Sequence, residues 1–322
     1  MVTLGKQQLG WHLCHSWWLL LILWGSVCSP KHEPIVFPPP SITDSQQASK
    51  QKTIEPVRVE VPRAITINTY FDFMDSLVLR HAIDTAYGLG EYLLVHANPW
   101  ILDSLRATDY YTLKNKGIYQ PDQRTSVILQ KGAHLIIPDT SVRRQIRERL
   151  RTTTVDVNIP EFTLRLIQLG DTILSCRVRV GRFAVEFLPV VGHDVNLQTP
   201  IGRGEIVRIE RNPLFIDPDN GIPTRRTRRD DGRYTAMPRI PCLEPAINGI
   251  RHGSLIHATT NIQTLGKAYS HGCIGTSEPD AWMIYYNAPL GTRVLFRYDL
   301  KIRDQTGKMV ALRDIYKKRR RE

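Results

Sequence analysis

The chain has 322 residues, of which 42% are hydrophobic and 23% are charged, and its formal net charge is +12. This composition is typical of a globular protein with room for one large domain and a smaller one, and it excludes a chain that is disordered throughout. The positive charge favours an anionic partner, such as a membrane surface, a wall polymer or nucleic acid, and by itself does not choose among them.

Residues 1–28 are predicted to direct export. Lys6 precedes the apolar run Trp17–Trp24, and small residues follow up to Cys28. The run is short for a membrane span and is typical of a secretory signal peptide. Ordinary cleavage, an uncleaved anchor and lipidation of Cys28 all stay open, and each places the protein in the periplasm or cell envelope.

Residues 29–62 are predicted to be a Pro-rich linker. They contain Pro38-Pro39-Pro40, followed by polar residues and scattered lysines. The segment has no apolar periodicity, so we expect a semi-extended tether that holds a domain off a membrane.

Residues 63–150 are predicted to form a small, mostly helical module. Apolar residues recur at helical spacing in two stretches, which are Leu79, Ala82, Ile83, Ala86 and Tyr87, and then Val142, Ile146 and Leu150. Between them, Asn98-Pro99 and the segment 129–138 resemble the landmarks of a LysM module, which implies glycan strands as a partner. A plain structural module is the alternative.

Residues 151–300 are predicted to be mainly β. Apolar residues alternate along three stretches, which are Val155, Val157 and Ile159, then Phe162, Leu164 and Leu166, then Leu174, Cys176, Val178 and Val180. Gly170-Asp171 lies where a hairpin turn is expected. The predicted fold class is therefore α+β, with a mainly β, sandwich-like domain after the helical module and a basic tail at residues 301–322.

One short segment of the β region carries a candidate catalytic site. Ser270-His271-Gly272-Cys273 places a cysteine in a Gly-containing turn, and His257 lies sixteen residues upstream of the cysteine. A thiol attacks an acyl carbon as its thiolate, so it needs a nearby base or positive charge. These residues by themselves indicate a cysteine acyltransferase or hydrolase.

The order of several motifs resembles the catalytic domain of the bacterial L,D-transpeptidases. The motifs, over about residues 154–300, are Thr199-Pro200-Ile201-Gly202, Ile256-His257, Leu265-Gly266, Ser270-His271-Gly272-Cys273-Ile274 and Gly291-Thr292-Arg293-Val294. The resemblance implies a sandwich-like sheet with the cysteine loop at the mouth of a cleft. It implies Cys273 as nucleophile and His257 as base. Ser270, His271 and Gly272 would support the motif and an oxyanion hole built from backbone N–H groups.

The resemblance also implies the substrate and the reaction. The predicted function is a peptidoglycan L,D-transpeptidase that forms cross-links by acyl transfer from a tetrapeptide stem to Cys273 and then to an amine, without a cofactor. Gly275 departs from the family, which commonly carries an arginine there that could hold a substrate carboxylate. The substrate-binding residues are therefore unassigned, with Arg251 or Lys267 as candidates for the missing charge.

Three other functions were weighed. An L,D-carboxypeptidase or peptidoglycan hydrolase would use the same residues with water as the acceptor. A degenerate catalytic domain would only bind the wall. A papain-like protease has its cysteine before its histidine in the chain, which is the opposite of the order here.

No metal is predicted around the motif. The candidate ligands are His252, His257, His271 and Cys273, and they lack the paired spacing of zinc sites. Cys176 and Cys242 are expected to be buried thiols, with a disulfide between them as the alternative.

Two basic runs, Arg225–Arg229 and Lys317–Arg321, are expected to be a solvated loop and a frayed terminus. Attraction to an anionic membrane or wall polymer is the alternative. No nucleic acid is predicted as a partner, because neither run has interleaved aromatic residues. Trp282, Tyr285 and Tyr286 are expected in the core or the cleft wall.

Overall fold

The computed structural model describes residues 57–81, 88–217, 220–304 and 306–317. The predicted signal segment and nearly all of the predicted linker lie outside the described residues. The chain from Ile54 onward forms one compact unit. Within the described ranges, no helix has the length and apolar character needed to cross a membrane.

The described residues form six α-helices. These are α1 (Ile67–Arg80), α2 (Glu91–Ala97), α3 (Trp100–Arg106), α4 (Tyr110–Asn115), α5 (Thr140–Arg151) and α6 (Glu278–Asn287). Short 3₁₀ turns cover Gln123–Thr125, Ile159–Glu161 and Ile262–Thr264. Five of the six α-helices precede residue 152, as the predicted helical module requires.

The strands lie mostly in the second half of the chain. They are β1 (Val57–Glu60), β2 (Ile65–Thr66), β3 (Val127–Leu129), β4 (His134–Ile137), β5 (Thr154–Asn158), β6 (Thr163–Gln168), β7 (Asp171–Arg177), β8 (Val180–Gly181), β9 (Val185–Leu188), β10 (His193–Asn196), β11 (Gly202–Glu210), β12 (Arg226–Arg228), β13 (Tyr234–Ala236), β14 (Cys242–Ile247), β15 (Ile250–Arg251), β16 (Ile256–Ala258), β17 (Ala268–Ser270), β18 (Ile274–Thr276), β19 (Arg293–Arg297), β20 (Lys301–Arg303) and β21 (Met309–Ala311).

The helical part is tied together by two small sheets and by Asn98. Strand β1 pairs antiparallel with β4, and β2 pairs with β3. Asn98, directly after α2, accepts a hydrogen bond from the N–H of Ile136 at 2.8 Å and donates one to its carbonyl at 2.8 Å. The asparagine thus fixes the end of α2 to β4. The LysM resemblance of this part stays a prediction.

The buried face of α1 differs from the sequence prediction. The helix buries Ile67, Tyr70, Phe71, Met74 and Leu77, which recur every three or four residues. Leu79 was expected on this face, and it is 78% exposed. That expectation was wrong because position 79 lies on the opposite side of the helix. The rest of that predicted stretch, residues 82–87, lies outside the described residues. In α5, Ile146 and Leu150 are buried as expected, whereas Val142, predicted on the same apolar face, is 37% exposed.

A nine-stranded sheet forms the second half of the described chain. Its order is β18-β16-β14-β11-β19-β5-β6-β7, with β15 paired to β14. The alternation predicted for β6 is confirmed, since Leu164 and Leu166 are fully buried between less buried neighbours. The predicted turn at Gly170 is also confirmed, and its φ of +93° is one that glycine adopts without strain. The predicted α+β, mainly β fold class is therefore confirmed.

The two edges of this sheet meet. Arg179, which follows the edge strand β7, forms an antiparallel bridge with Gly275 in the other edge strand, β18. The N–H of Arg179 donates to the carbonyl of Gly275 at 2.9 Å, and the reverse bond is 3.0 Å long. The sheet is consequently almost closed, and the seam lies two residues after Cys273.

The aromatic residues of α6 are core residues. Trp282 and Tyr286 are fully buried and Tyr285 is 1% exposed, which confirms the expectation of a core position over a sugar platform. The hydroxyl groups of Tyr70 and Tyr286 lie 2.8 Å apart. One continuous core therefore runs from the helical part into the β part.

Cys176 and Cys242 are buried free thiols, so the expectation of small buried residues is confirmed. The expectation for the run 225–229 was wrong at one position. Arg229 is 3% exposed and forms an ion pair with Glu278, whereas Arg226 and Arg228 in β12 are exposed as predicted.

Candidate active site

The cysteine lies in a tight turn between β17 and β18. The hydroxyl of Ser270 donates to the carbonyl of Cys273 at 2.6 Å and accepts from the N–H of Gly272 at 3.2 Å. Gly272 has a φ of +109°, a conformation that side-chain-bearing residues rarely adopt. Ser270 and Gly272 therefore set the conformation of the turn, and their predicted support of an oxyanion hole stays a prediction.

A second group of contacts fixes the turn from the side of Thr199. This buried threonine donates its hydroxyl hydrogen to the carbonyl of Gly272 at 3.1 Å and accepts from the N–H of Gly181 at 2.9 Å. The N–H of Thr199 in turn donates to the hydroxyl of Tyr316 at 3.0 Å. The motif that begins at Thr199 thus contacts the cysteine turn directly.

The thiol of Cys273 is half-buried. Its sulfur accepts a hydrogen bond from the backbone N–H of Leu255 at 3.4 Å. Burial raises the pKa of the Cys273 thiol, and the Leu255 N–H and the charge of Arg179 act in the opposite direction. Burial disfavours the thiolate, so Cys273 at rest needs a base to become a nucleophile.

His257 lies on the strand next to the cysteine turn. Strand β16 pairs in parallel with β18, and this register places His257 opposite Gly275, two residues after Cys273. The Nδ1 of His257 lies 2.8 Å from the carbonyl oxygen of Ala258, which can only accept. Nδ1 therefore carries the hydrogen, and Nε2 is left with the lone pair of a base.

The electrostatic surroundings keep His257 neutral. Burial, and to a smaller extent the positive charge of Arg179, lower the pKa of its imidazole to about 4, and the bond to Ala258 partly opposes both effects. A neutral imidazole at pH 7 can accept a proton from a thiol.

The backbone N–H groups of the turn differ in what they are free to bind. The N–H of Gly272 is donated to Ser270, and that of Ile274 is donated to the carbonyl of Leu255 at 2.8 Å. The N–H of Cys273 donates to no acceptor among the described residues. It is therefore the group of the turn best placed to bind an oxyanion, and Gly272 contributes through its conformation.

His271 points toward a different part of the chain. Its Nε2 lies 3.1 Å from the guanidinium of Arg182, which only donates, so Nε2 accepts. Arg182 also forms an ion pair with Glu186. These contacts connect the turn to the segment that leads into β9.

The remaining histidine of the sequence analysis does not join the site. His252 is exposed and lies just after β15. In the described part of the chain, no group of three or more His, Cys, Asp or Glu residues could hold a metal ion.

Arg179 belongs to this site and was not predicted from the sequence. Its backbone pairs with Gly275, and its charge acts on both Cys273 and His257. Arginine in an alternating strand ordinarily indicates a solvent-facing position, and the pairing that buries Arg179 joins residues almost one hundred positions apart. The absence of an arginine at position 275 was the only available signal.

The comparisons with known proteins agree with the motif order. Residues 152–295 match the family model of the YkuD L,D-transpeptidase catalytic domain. This match confirms the resemblance to L,D-transpeptidases. No curated protein matches the chain.

Several solved structures are similar to parts of the chain. An L,D-transpeptidase from Xylanimonas cellulosilytica has 15% identity and a TM-score of 0.33, with 76% of this chain and 100% of that chain covered. The L,D-transpeptidase LdtMt1 with imipenem has 17% identity and a TM-score of 0.32, with coverages of 45% and 59%. Mycobacterium tuberculosis L,D-transpeptidase 3 with a faropenem-derived adduct has 18% identity and a TM-score of 0.31, with coverages of 45% and 60%. The chain thus spans less than two thirds of these last two proteins.

Proposed function

We propose that the protein is a peptidoglycan L,D-transpeptidase that works through Cys273, and the match of residues 152–295 to the YkuD L,D-transpeptidase catalytic-domain model supports this proposal. The observation that carries the proposal is the setting of this cysteine. The braced turn holds its thiol, its own N–H has no acceptor among the described residues, and the neutral imidazole of His257 lies on the adjacent strand. A nucleophile, an oxyanion donor and a base are the groups that acyl transfer requires.

In the first half-reaction, Cys273 passes its proton to Nε2 of His257. The sulfur attacks the carbonyl carbon of a diaminopimelate residue, on the L side of its bond to D-alanine. The N–H of Cys273 donates to the oxyanion of the tetrahedral intermediate. The C–N bond then breaks, His257 returns the proton to the leaving amine, D-alanine departs, and a thioester remains on the enzyme.

In the second half-reaction, an amine of a neighbouring stem attacks the thioester carbon. His257 accepts the proton of this amine, the C–S bond breaks, and the proton returns to the sulfur as the cross-link is released. The same imidazole thus serves as a base and as an acid in each half-reaction, which its neutral resting state permits.

This function places the protein outside the cytoplasm. Peptidoglycan stem peptides are in the cell envelope, so the proposal requires export, and the predicted signal at residues 1–28 would supply it. The periplasm or the outer face of the membrane is the proposed location.

Intact-mass measurement after exposure to imipenem tests the nucleophile. The unaltered protein is expected to gain one acyl adduct, which Cys273→Ala abolishes. Cys242→Ala is the matched control, because this second thiol is buried and free, and this variant should keep the adduct. An adduct that persists in Cys273→Ala would contradict the assignment.

Turnover of a tetrapeptide stem tests the acceptor. With an added amine stem, the proposal predicts a cross-linked product together with free D-alanine. Release of D-alanine without any cross-linked product would instead indicate an L,D-carboxypeptidase. Retained wall binding with neither product would indicate a degenerate domain.

A further inference from the structure

The residue that faces Gly275 across the seam of the sheet is Arg179. The two residues exchange both backbone hydrogen bonds, at 2.9 and 3.0 Å. In such an antiparallel pair the side chains lie on the same face of the sheet. Gly275 has no side chain, so at this pair only the side chain of Arg179 occupies that face.

The side chain of Arg179 fills this space closely. A Cβ at position 275 would lie 2.6 Å from Nε and 2.7 Å from Cγ of Arg179. Both distances are shorter than real Cβ contacts, so the arginine passes directly over the glycine. Gly275 is therefore the residue that allows the guanidinium to reach the neighbourhood of Cys273.

The guanidinium has no anionic partner among the residues that the structure describes. Its Nε is buried without a hydrogen-bond partner, and within the described ranges Arg179 forms no ion pair. The two cations considered from the sequence differ from it, because Arg251 is bonded to Glu244 and Lys267 is exposed. A guanidinium that is mostly buried without a counterion is costly unless an anion forms beside it.

The cysteine turn offers that anion. We propose that Arg179 is a positioning residue of the active site, whose guanidinium, carried over Gly275 from the opposite strand, stabilises the thiolate of Cys273 as His257 removes the thiol proton. This inference rests on the proposed role of Cys273 as the nucleophile. The bond that breaks is S–H, the proton goes to the imidazole, and the negative charge stays on the sulfur beside the guanidinium.

The other groups around the sulfur do not supply this charge. His257 is neutral, the backbone N–H of Leu255 contributes only a dipole, and burial raises the pKa of Cys242 to about 12, which keeps it a neutral thiol. Tyr269 interacts with Arg179 and carries no positive charge. Arg179 is the one positive charge that acts on Cys273 among these groups.

Alkylation by iodoacetamide tests the proposal, because its rate follows the thiolate fraction. The modified site is mapped by peptide mass over a range of pH in the full chain. Arg179→Met, which keeps an unbranched apolar stem, should slow alkylation of Cys273 at least about tenfold at pH 7 and move the rise in rate to higher pH. Arg179→Lys should restore most of the rate. Arg177→Met, at an exposed position of the same segment, should leave it unchanged.

A charge swap provides the second variant. Arg179→Ala combined with Gly275→Arg places an arginine on the same face from β18 and avoids the close contact that would arise if both positions carried long side chains. The double variant should recover alkylation relative to Arg179→Met. An Arg179→Met protein that folds and shows the unaltered pH profile would overturn the proposal, as would a folded swap variant with no recovery.

This test separates the inference from the proposed function. Alkylation needs no peptidoglycan, so Arg179-dependent alkylation without any acyl adduct would refute the transpeptidase and keep the arginine's role. An acyl adduct on Cys273 that forms equally fast in Arg179→Met would refute the arginine's role and keep the proposed transpeptidase.

Discussion

The buried ion pair between Arg229 and Glu278 leads to a prediction for stability. The guanidinium donates to the carboxylate at 2.6 Å and to the hydroxyl of Thr235 at 2.8 Å, and it lies 4.7 Å from the ring centroid of Tyr110. The two charged side chains are 1% and 2% exposed. Arg229→Met removes the positive charge and leaves the carboxylate buried without its counterion.

The cost follows from what remains after the change. Loss of one partner of a buried pair costs about 3–5 kcal/mol, because an uncompensated charge stays inside the protein. Glu278 keeps hydrogen bonds from the N–H of Tyr110 at 3.3 Å and from the amide of Gln123 at 3.0 Å. These two bonds still stabilise the carboxylate, so the loss should lie at the lower end of this range, at about 3 kcal/mol of unfolding free energy.

Urea unfolding near neutral pH measures this loss in a double-mutant cycle. Arg229→Met combined with Glu278→Gln should be less destabilised than the sum of the two single variants, with a coupling of about 2 kcal/mol. Arg228→Met, at an exposed neighbouring position, should change stability by less than about 0.5 kcal/mol. Additive single effects, or an Arg229→Met loss below about 1 kcal/mol, would refute the reasoning.

The pH dependence of this variant has a definite sign. Burial raises the pKa of Glu278, and the charge of Arg229 opposes this effect. Without Arg229 the folded-state pKa rises further. An acid with a raised folded-state pKa loses stability as pH increases from its unfolded value toward the folded one. The destabilisation of Arg229→Met should therefore be larger at pH 8 than at pH 5.

Two further predictions concern the active site. The pKa of His257 is lowered to about 4, so the rate of acylation by imipenem should show no inflection near pH 6.5. The rate should fall only as pH approaches 4. An inflection near pH 6.5 would contradict the assignment of a neutral, buried base. Tyr316→Phe removes the hydroxyl that accepts from the Thr199 N–H and donates to the carbonyl of Gly181 at 2.9 Å. Urea unfolding should show a loss of about 1–2 kcal/mol, and acylation should slow because Thr199 braces the cysteine turn. Tyr234→Phe, at an exposed position, is the control, and equal effects in both variants would argue against the brace.

The local parts of the fold were predictable from the sequence. The alternation in β6 and the turn at Gly170 depend on neighbouring residues, which decide the pleat and the sign of φ. The cysteine turn is also local, because Ser270 and Gly272 set its conformation through bonds that span two or three residues. A local structure that depends on such short-range contacts can be predicted from the residues that form it.

The parts that were missed depend on distant pairings. In the sequence, Arg229 is one member of a basic run. It is buried because it pairs with Glu278, which lies forty-nine residues later in the chain. Arg179 reads as the polar residue of an alternating strand, and closure of the sheet at Gly275 decides its surroundings. In both cases the partner, and not the residue type, determines whether the charge is solvated. Single-sequence patterns contain no information on such partners.

The position of the seam explains how this site combines a neutral base with a cation. A cation beside both groups lowers the imidazole pKa, which keeps His257 neutral at rest although it weakens the base, and it favours the thiolate that the proton transfer forms. A guanidinium does this without giving up its proton, whereas a lysine ammonium shifts its pKa readily when buried. Arg179 lies across from β18 and not within the cysteine turn, so the backbone of the turn remains available for the hydrogen bonds of Ser270. The absence of a side chain at Gly275 is therefore a geometric requirement of the position that Arg179 occupies.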